Sequence, residues 1–143
     1  MKGTEFLLRS LVADGVDHLF MMTGGLVDPF LPAIGNVPEI TPVVAAHEGG
    51  AAAMADGYAR ASGRIGACLC IGGPGLTNTV TSMSAAYTDE SPVLLLTGAV
   101  ENYMQGLGLF RILQPLSLCP CVVTCRYQCS VEVLGRGIFL WGG

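Results

Sequence analysis

Charge is scarce in this chain: Asp, Glu, Lys and Arg together make up 13% of its 143 residues, whereas hydrophobic residues make up 51%. A composition so apolar excludes a disordered polymer, which needs low hydrophobicity and high net charge. Lys and Arg nowhere cluster, and the formal net charge is −4. Nucleic-acid binding through phosphate neutralisation is therefore not expected. Long apolar runs are also missing, since the longest charge-free stretch, Ile65 to Thr88, is interrupted by Gly72-Gly73-Pro74-Gly75 and Asn78. That suits a strand, a tight loop and a helix, not a membrane span. The opening residues Met1 to Glu5 carry an early acid and no cleavable apolar core, so a cytoplasmic setting is expected. Neither G-x-x-x-x-G-K-[ST] nor G-x-G-x-x-G follows a predicted strand, which leaves little for a phosphate-binding loop.

What is present fits one domain with a buried parallel sheet, because a chain of this length can bury a real core but hardly two. The six cysteines are unevenly placed. Cys68 and Cys70 lie in an apolar run and read as reduced core residues. Cys119, Cys121, Cys125 and Cys129 crowd the tail with spacing C-x-C-x3-C-x3-C, unlike the paired C-x2-C knuckles of structural zinc, so a metal module is the minority reading and no metal ligand is assigned.

Strand and helix patterns alternate along the chain. The segment from Thr4 to Asp14 reads as an amphipathic helix, with Thr4 as its cap and Asp14-Gly15 as its end. Val16 to Met22 reads as a strand closed by Thr23-Gly24-Gly25, and Leu26 to Ile34 as a short helix closed by Asn36 and Pro38. Ile40 to Ala46, β-branched and uncharged, reads as a strand buried on both faces. Gly49 to Arg60 reads as a helix ended by Ser62-Gly63, its small residues implying close packing. Gly66 to Ile71 is a third strand running into the loop Gly72 to Asn78, then a helix to about Tyr87. Val93 to Gly98 is a fourth. The pattern predicts an α/β fold with a parallel sheet and helices on both faces.

Glu48 stands where the second strand hands over to a helix. Ligands of open parallel sheets gather at the carboxyl ends of strands, so this carboxylate faces a candidate crevice. The bland alternative is an acid stabilised by a helix N-terminus.

Several of these residues, taken in order, resemble the pyrimidine-binding domain of thiamine diphosphate enzymes, especially the acetolactate synthase-like branch. They are Gly15-Val16-x-His18-x-Phe20, Gly24-Gly25, His47-Glu48 followed by Ala52 and by Ala55-Asp56-Gly57-Tyr58-Ala59-Arg60, Gly73-Pro74-Gly75-x-x-Asn78, and Asp89-x-x-Pro92 with Thr97-Gly98. The resemblance covers roughly residues 3–101 and implies a flavodoxin-like pyrimidine-binding domain over residues 1–110, acting on 2-oxo acids such as pyruvate. For Glu48 it implies a hydrogen bond to N1′ of the aminopyrimidine, favouring the imino tautomer whose nitrogen takes the thiazolium C2 proton. An Asp would be too short. Burial in such a crevice is expected to raise the carboxyl's pKa. By the same resemblance Gly73, Pro74, Gly75 and Asn78 line the pyrimidine pocket, and Gly24 and Gly25 lie near the reacting carbon. His47 is read as a satisfied neighbour of Glu48. Phe110 stands where the family often has phenylalanine followed by glutamine, but here Arg111 follows.

The family holds diphosphate and Mg²⁺ in a separate domain carrying Gly-Asp-Gly, and this sequence has none. The resemblance thus implies a partner domain or subunit, which would supply Mg²⁺, with FAD possible in the family, in a homo- or hetero-oligomer. From about Arg111 the strand-helix rhythm stops, so residues 111–143 read as an atypical Cys-rich tail and the domain as incomplete at its C-terminus. A truncated or frameshifted inactive product, or a split subunit of a 2-oxo acid decarboxylase, are the alternatives to an enzyme component.

Overall fold

The computed structural model describes residues 2–98 together with the backbone of residues 122–125, 130–134 and 137–141. The elements run α1 (Gly3–Ala13), β1 (His18–Met21), α2 (Phe30–Gly35), β2 (Thr41–Val44), α3 (Glu48–Ser62), β3 (Gly66–Cys70), α4 (Pro74–Thr88), β4 (Val93–Gly98), β5 (Val122–Cys125), β6 (Ser130–Leu134) and β7 (Gly137–Trp141). The first five strands form one parallel sheet in the order β2-β1-β3-β4-β5. This is the doubly wound order in which the connections change direction between β1 and β3. β6 and β7 form a separate antiparallel pair.

Strand side chains alternate between the two faces of the sheet, and the core divides accordingly. Leu19, Met21, Ala67, Leu69, Leu94 and Leu96 pack with Leu8 and Leu11 of α1 and with Phe30, Ala33 and Ile34 of α2. On the other face Phe20, Cys68, Cys70 and Leu95 pack against Ala51, Ala52 and Ala55 of α3 and Leu76 and Met83 of α4. Both faces are covered, as the alternation predicts. The alanines let α3 lie close to the sheet, and a Cβ on Gly66 would run into the Ala55 carbonyl. The helix ends at Gly63, whose left-handed φ of 70° suits the αL position after a last helical turn. The Cys68 and Cys70 thiols lie in this second core, where burial pushes Cys70 up to about 12 and Cys68 well above its ordinary value.

Several local expectations are corrected. Thr4 is not the cap of α1: Lys2 holds that position and no side chain caps the helix. Leu26 to Ile34 is not one helix, since turns fill the stretch up to Pro29 and α2 begins at Phe30. Proline disfavours the helical region for the residue before it, here Asp28, which delays the helix. β2 is not buried on both faces. It is an edge strand in which Val44 is 63% exposed and only Val43 is partly covered. Pro42 is the signal of this, because proline within sheets is confined to edges. The amides of Thr41 and Ala45 donate inward to Asp17 and Met21. By the two-residue period the amide position of residue 42 faces outward, where proline has no hydrogen to offer.

Where the tail sequence shows no strand-helix rhythm, the backbone of β5 nonetheless runs parallel to β4 and continues the sheet. The boundary at residue 110, Phe110, Arg111, Cys119, Cys121 and Cys129 lie outside the described residues, and of Cys125 only the backbone is described.

Asp17, just ahead of β1, ties α3 to the sheet. It accepts the Tyr58 hydroxyl at 2.5 Å, lies 2.9 Å from His18 Nδ1, and pairs with the Arg64 guanidinium. The Tyr58 hydrogen bond above all, then that of His18, hold the Asp17 carboxyl at about 2, below its ordinary 3.8. A carboxyl depressed in the fold contributes stability above its unfolded pKa and loses it as pH falls through the folded one. Denaturant midpoints should therefore fall between about pH 4 and pH 2, and Asp17→Asn should flatten that decline. Tyr58→Phe should cost about 1 kcal/mol at pH 7 and less at pH 2, as read by urea unfolding at both pH values.

Candidate functional site

The carboxyl ends of β1, β3 and β4 carry Met22 to Gly25, Ile71 to Gly73, and Gly98, all at the same edge of the sheet. The backbones meet closely there. A Cβ on Gly72 would strike the Gly98 carbonyl, and one on Gly98 the Leu26 carbonyl. A Cβ on Gly24 would stand 2.7 Å from Ile71 Cγ2, and one on Gly75 2.5 Å from Ile71 Cγ1. The Ile71 side chain thus fills the space between the two glycine turns, a packing role for which the sequence reading had no residue.

Glu48 opens α3 beside this junction. Its predecessor His47 is extended, with φ −158° and ψ 143°, and its Nδ1 accepts the Gly49 amide at 3.1 Å. Histidine therefore supplies the cap that serine or aspartate more often gives. Because Glu48 is the first helical residue, its carboxylate also benefits from the positive end of α3. The side chain nevertheless points inward and is only 9% exposed.

Two groups of α4 meet it there. Gly73, with φ 70° and ψ −122°, turns the chain into the helix, and Pro74 occupies a first-turn position that needs no amide. The next residue, Gly75, is buried against the carboxylate, where a Cβ would come within 3.0 Å of Glu48 Oε1. One turn on, Asn78 Nδ2 donates to Glu48 Oε2 at 3.0 Å. Asn78 lies within α4 and not in the loop where the sequence pattern placed it. Its position on the helix is what aims the amide at α3.

That hydrogen bond reverses the expected titration of Glu48. The fixed Asn78 donor holds the carboxyl below its ordinary value, and burial, which alone would raise it, is outweighed. Glu48 is therefore an anion in the cofactor-free chain at neutral pH. With one oxygen beside the Gly75 backbone and the other bound by an amide, the direction of the carboxylate is fixed.

Of the residues singled out in the sequence, Glu48, Gly75 and Asn78 are in mutual contact, and Gly73 and Pro74 shape the entry to α4. Gly24 joins them through Ile71. Gly25 has nothing within 4 Å of its Cβ position and faces open space. Ser82, one helical turn beyond Asn78, was missed: its hydroxyl donates to the Gly49 carbonyl at 3.1 Å. The four-residue spacing from Asn78 was the available signal.

Close approach of α3 to α4 explains Gly49. A Cβ there would lie 2.7 Å from the Asn78 carbonyl oxygen, whereas Gly50 has open space around it. Gly49→Ala should destabilise the chain by about 1–3 kcal/mol through overpacking. Gly50→Ala should leave it unchanged or stabilise it by about 0.5–1 kcal/mol through helix propensity. Urea unfolding of the two variants side by side checks the contrast.

A family model described as thiamine pyrophosphate enzyme, N-terminal TPP binding domain, matches residues 1–118. A probable acetolactate synthase large subunit of Methanocaldococcus jannaschii is 42% identical over 118 residues, covering 82% of this chain and 20% of that protein. One of Methanococcus aeolicus is 36% identical over 143 residues, with 97% and 24% covered. The acetolactate synthase isozyme 3 large subunit of Escherichia coli is 39% identical over 111 residues, with 78% and 19% covered. The chain spans about a fifth to a quarter of the length of these curated relatives.

Proposed function

The chain belongs to the thiamine pyrophosphate enzymes, as an N-terminal TPP-binding domain of the acetolactate synthase-like kind, and from that membership we propose that Glu48 is the carboxylate that engages N1′ of the aminopyrimidine. The observation that carries this reading is the geometry of Glu48: a nearly buried carboxylate at a strand end, fixed by Asn78 and facing backbone at Gly75. The missing Cβ at Gly75 is what lets the carboxylate come this close to the start of α4. The residues present fit the pyrimidine half of the cofactor. Gly73, Pro74, Gly75 and Asn78 would line its ring, while Gly24 and Gly25 would border the side where substrate arrives.

Thiamine diphosphate, when bound, supplies a thiazolium carbon able to add to the carbonyl of a 2-oxo acid. The task of this chain is to place a proton-accepting carboxylate against a ring nitrogen and keep water away from it. A proton bound between Glu48 and that nitrogen would raise the carboxyl above the position that Asn78 gives it in the free chain. The shift expected on loading is upward.

Diphosphate and Mg²⁺ would be held by a further domain, since no Gly-Asp-Gly occurs in this sequence, and FAD is possible in the family. We read the functional unit as this domain joined to a diphosphate-binding domain or subunit in a cytoplasmic homo- or hetero-oligomer. Its substrates would be 2-oxo acids such as pyruvate, and its place would be in branched-chain amino acid biosynthesis, as the acetolactate synthase-like resemblance implies. Among the described residues no helix is long and apolar enough to cross a membrane.

The test is reconstitution with the diphosphate-binding part of a relative. Pyruvate turnover should appear on mixing, and Glu48→Gln should lower it by at least about 100-fold, the scale of a lost proton-transfer group. Turnover that survives the substitution would remove Glu48 from the reaction. Calorimetry should show thiamine diphosphate binding the mixture far more tightly than it binds the chain alone, because the diphosphate and its metal carry most of the polar contacts.

A further inference from the structure

Glu48 stands on what should be the weakest turn of its helix. The next two residues are Gly49 and Gly50, and glycine is the poorest helix former after proline. A cap from His47 satisfies one amide, but a cap does not fix a turn laterally. Two bonds from α4 do so. Asn78 donates to the Glu48 side chain, and Ser82, four residues on and on the same face of α4, donates to the Gly49 carbonyl oxygen. That oxygen has a second lone pair for its helical partner, so the serine bond adds to the helix without replacing anything. Gly49 makes the arrangement possible, since any Cβ there would push the Asn78 backbone away.

We propose that Ser82 is a positioning residue for Glu48, its hydroxyl clamping the Gly49 carbonyl so that the first turn of α3 stays within reach of the Asn78 amide. Its catalytic meaning rests on the reading of Glu48 given above, but the clamp itself is a property of the chain without cofactor. Ser82 acts on the backbone of the turn and Asn78 on the carboxylate, so the effect of the first on Glu48 passes through the second. The titratable group whose charge bears on Glu48 is His47, while the buried Cys68 and Cys70 thiols, whose ionisation Glu48 itself opposes, are neutral where a carboxyl titrates. None of them is altered by changes at 78 or 82.

The experiment is a carbon-detected NMR titration of the Glu48 carboxyl in the chain free of any thiamine compound, together with amide hydrogen exchange over residues 49–52. Ser82→Ala should move the Glu48 midpoint upward, because the Asn78 bond that favours the anion is made less of the time. It should also speed exchange in that turn by about 5- to 10-fold, the scale of one lost hydrogen bond. Ser82→Thr, which keeps the hydroxyl, should restore both. Asn78→Ala should raise the midpoint further, and adding Ser82→Ala to it should raise the midpoint no more. A Ser82→Ala chain that melts lower while its Glu48 midpoint stays put would make the serine a packing residue and overturn the proposal. So would additive shifts in the double variant. Since no cofactor is present, these outcomes are independent of the pyruvate and calorimetric results that bear on the function itself.

Discussion

The contact between the start of α3 and the second turn of α4 is the constraint on which the rest of the site depends. At one point a helix backbone without a Cβ, at Gly49, meets the carbonyl of Asn78, and the helices are thereby close enough for the amide of that asparagine to reach Glu48. A wider spacing would leave the carboxylate buried without a donor, a state that favours protonation. Close spacing keeps it an anion with a fixed direction. The sheet contributes by presenting the two helices side by side on one face, through Cys68, Cys70 and Leu95 beneath them.

Much of the architecture was legible because period and composition agreed. β3 and β4 are short apolar runs bounded by glycine and proline, and they fall where the pattern puts them. β2 was misjudged because its β-branched, uncharged composition looks the same in a central strand and at an edge, although Pro42 distinguished the two. The cap of α1 was misplaced for a related reason: Thr4 has the right chemistry, but the helix already includes Gly3, and capping is decided by backbone geometry that a sequence pattern locates only within a residue or two.

At the candidate site, the convergence of residues was legible more than their electrostatics. Glu48 lies far in sequence from Gly75 and Asn78 and converges with them in space, in keeping with the strand-end rule. The direction of the Glu48 shift was not legible, because it depends on whether a donor lies within about 3 Å of one oxygen, which no spacing argument supplies. Reading Asn78 as loop instead of helix hid the fact that residue 82 shares its face. Ile71, between the two glycine turns, shows that some of the glycine requirement is met by the protein's own side chains before any ligand is considered.

The outer rim of β2 has a further implication. In a parallel ladder every second amide on an open border offers a rung to a neighbouring chain, and here one of those rungs is missing at Pro42. A strand arriving from that side would find an interrupted zipper. The domain is thereby shielded from lateral growth along this margin.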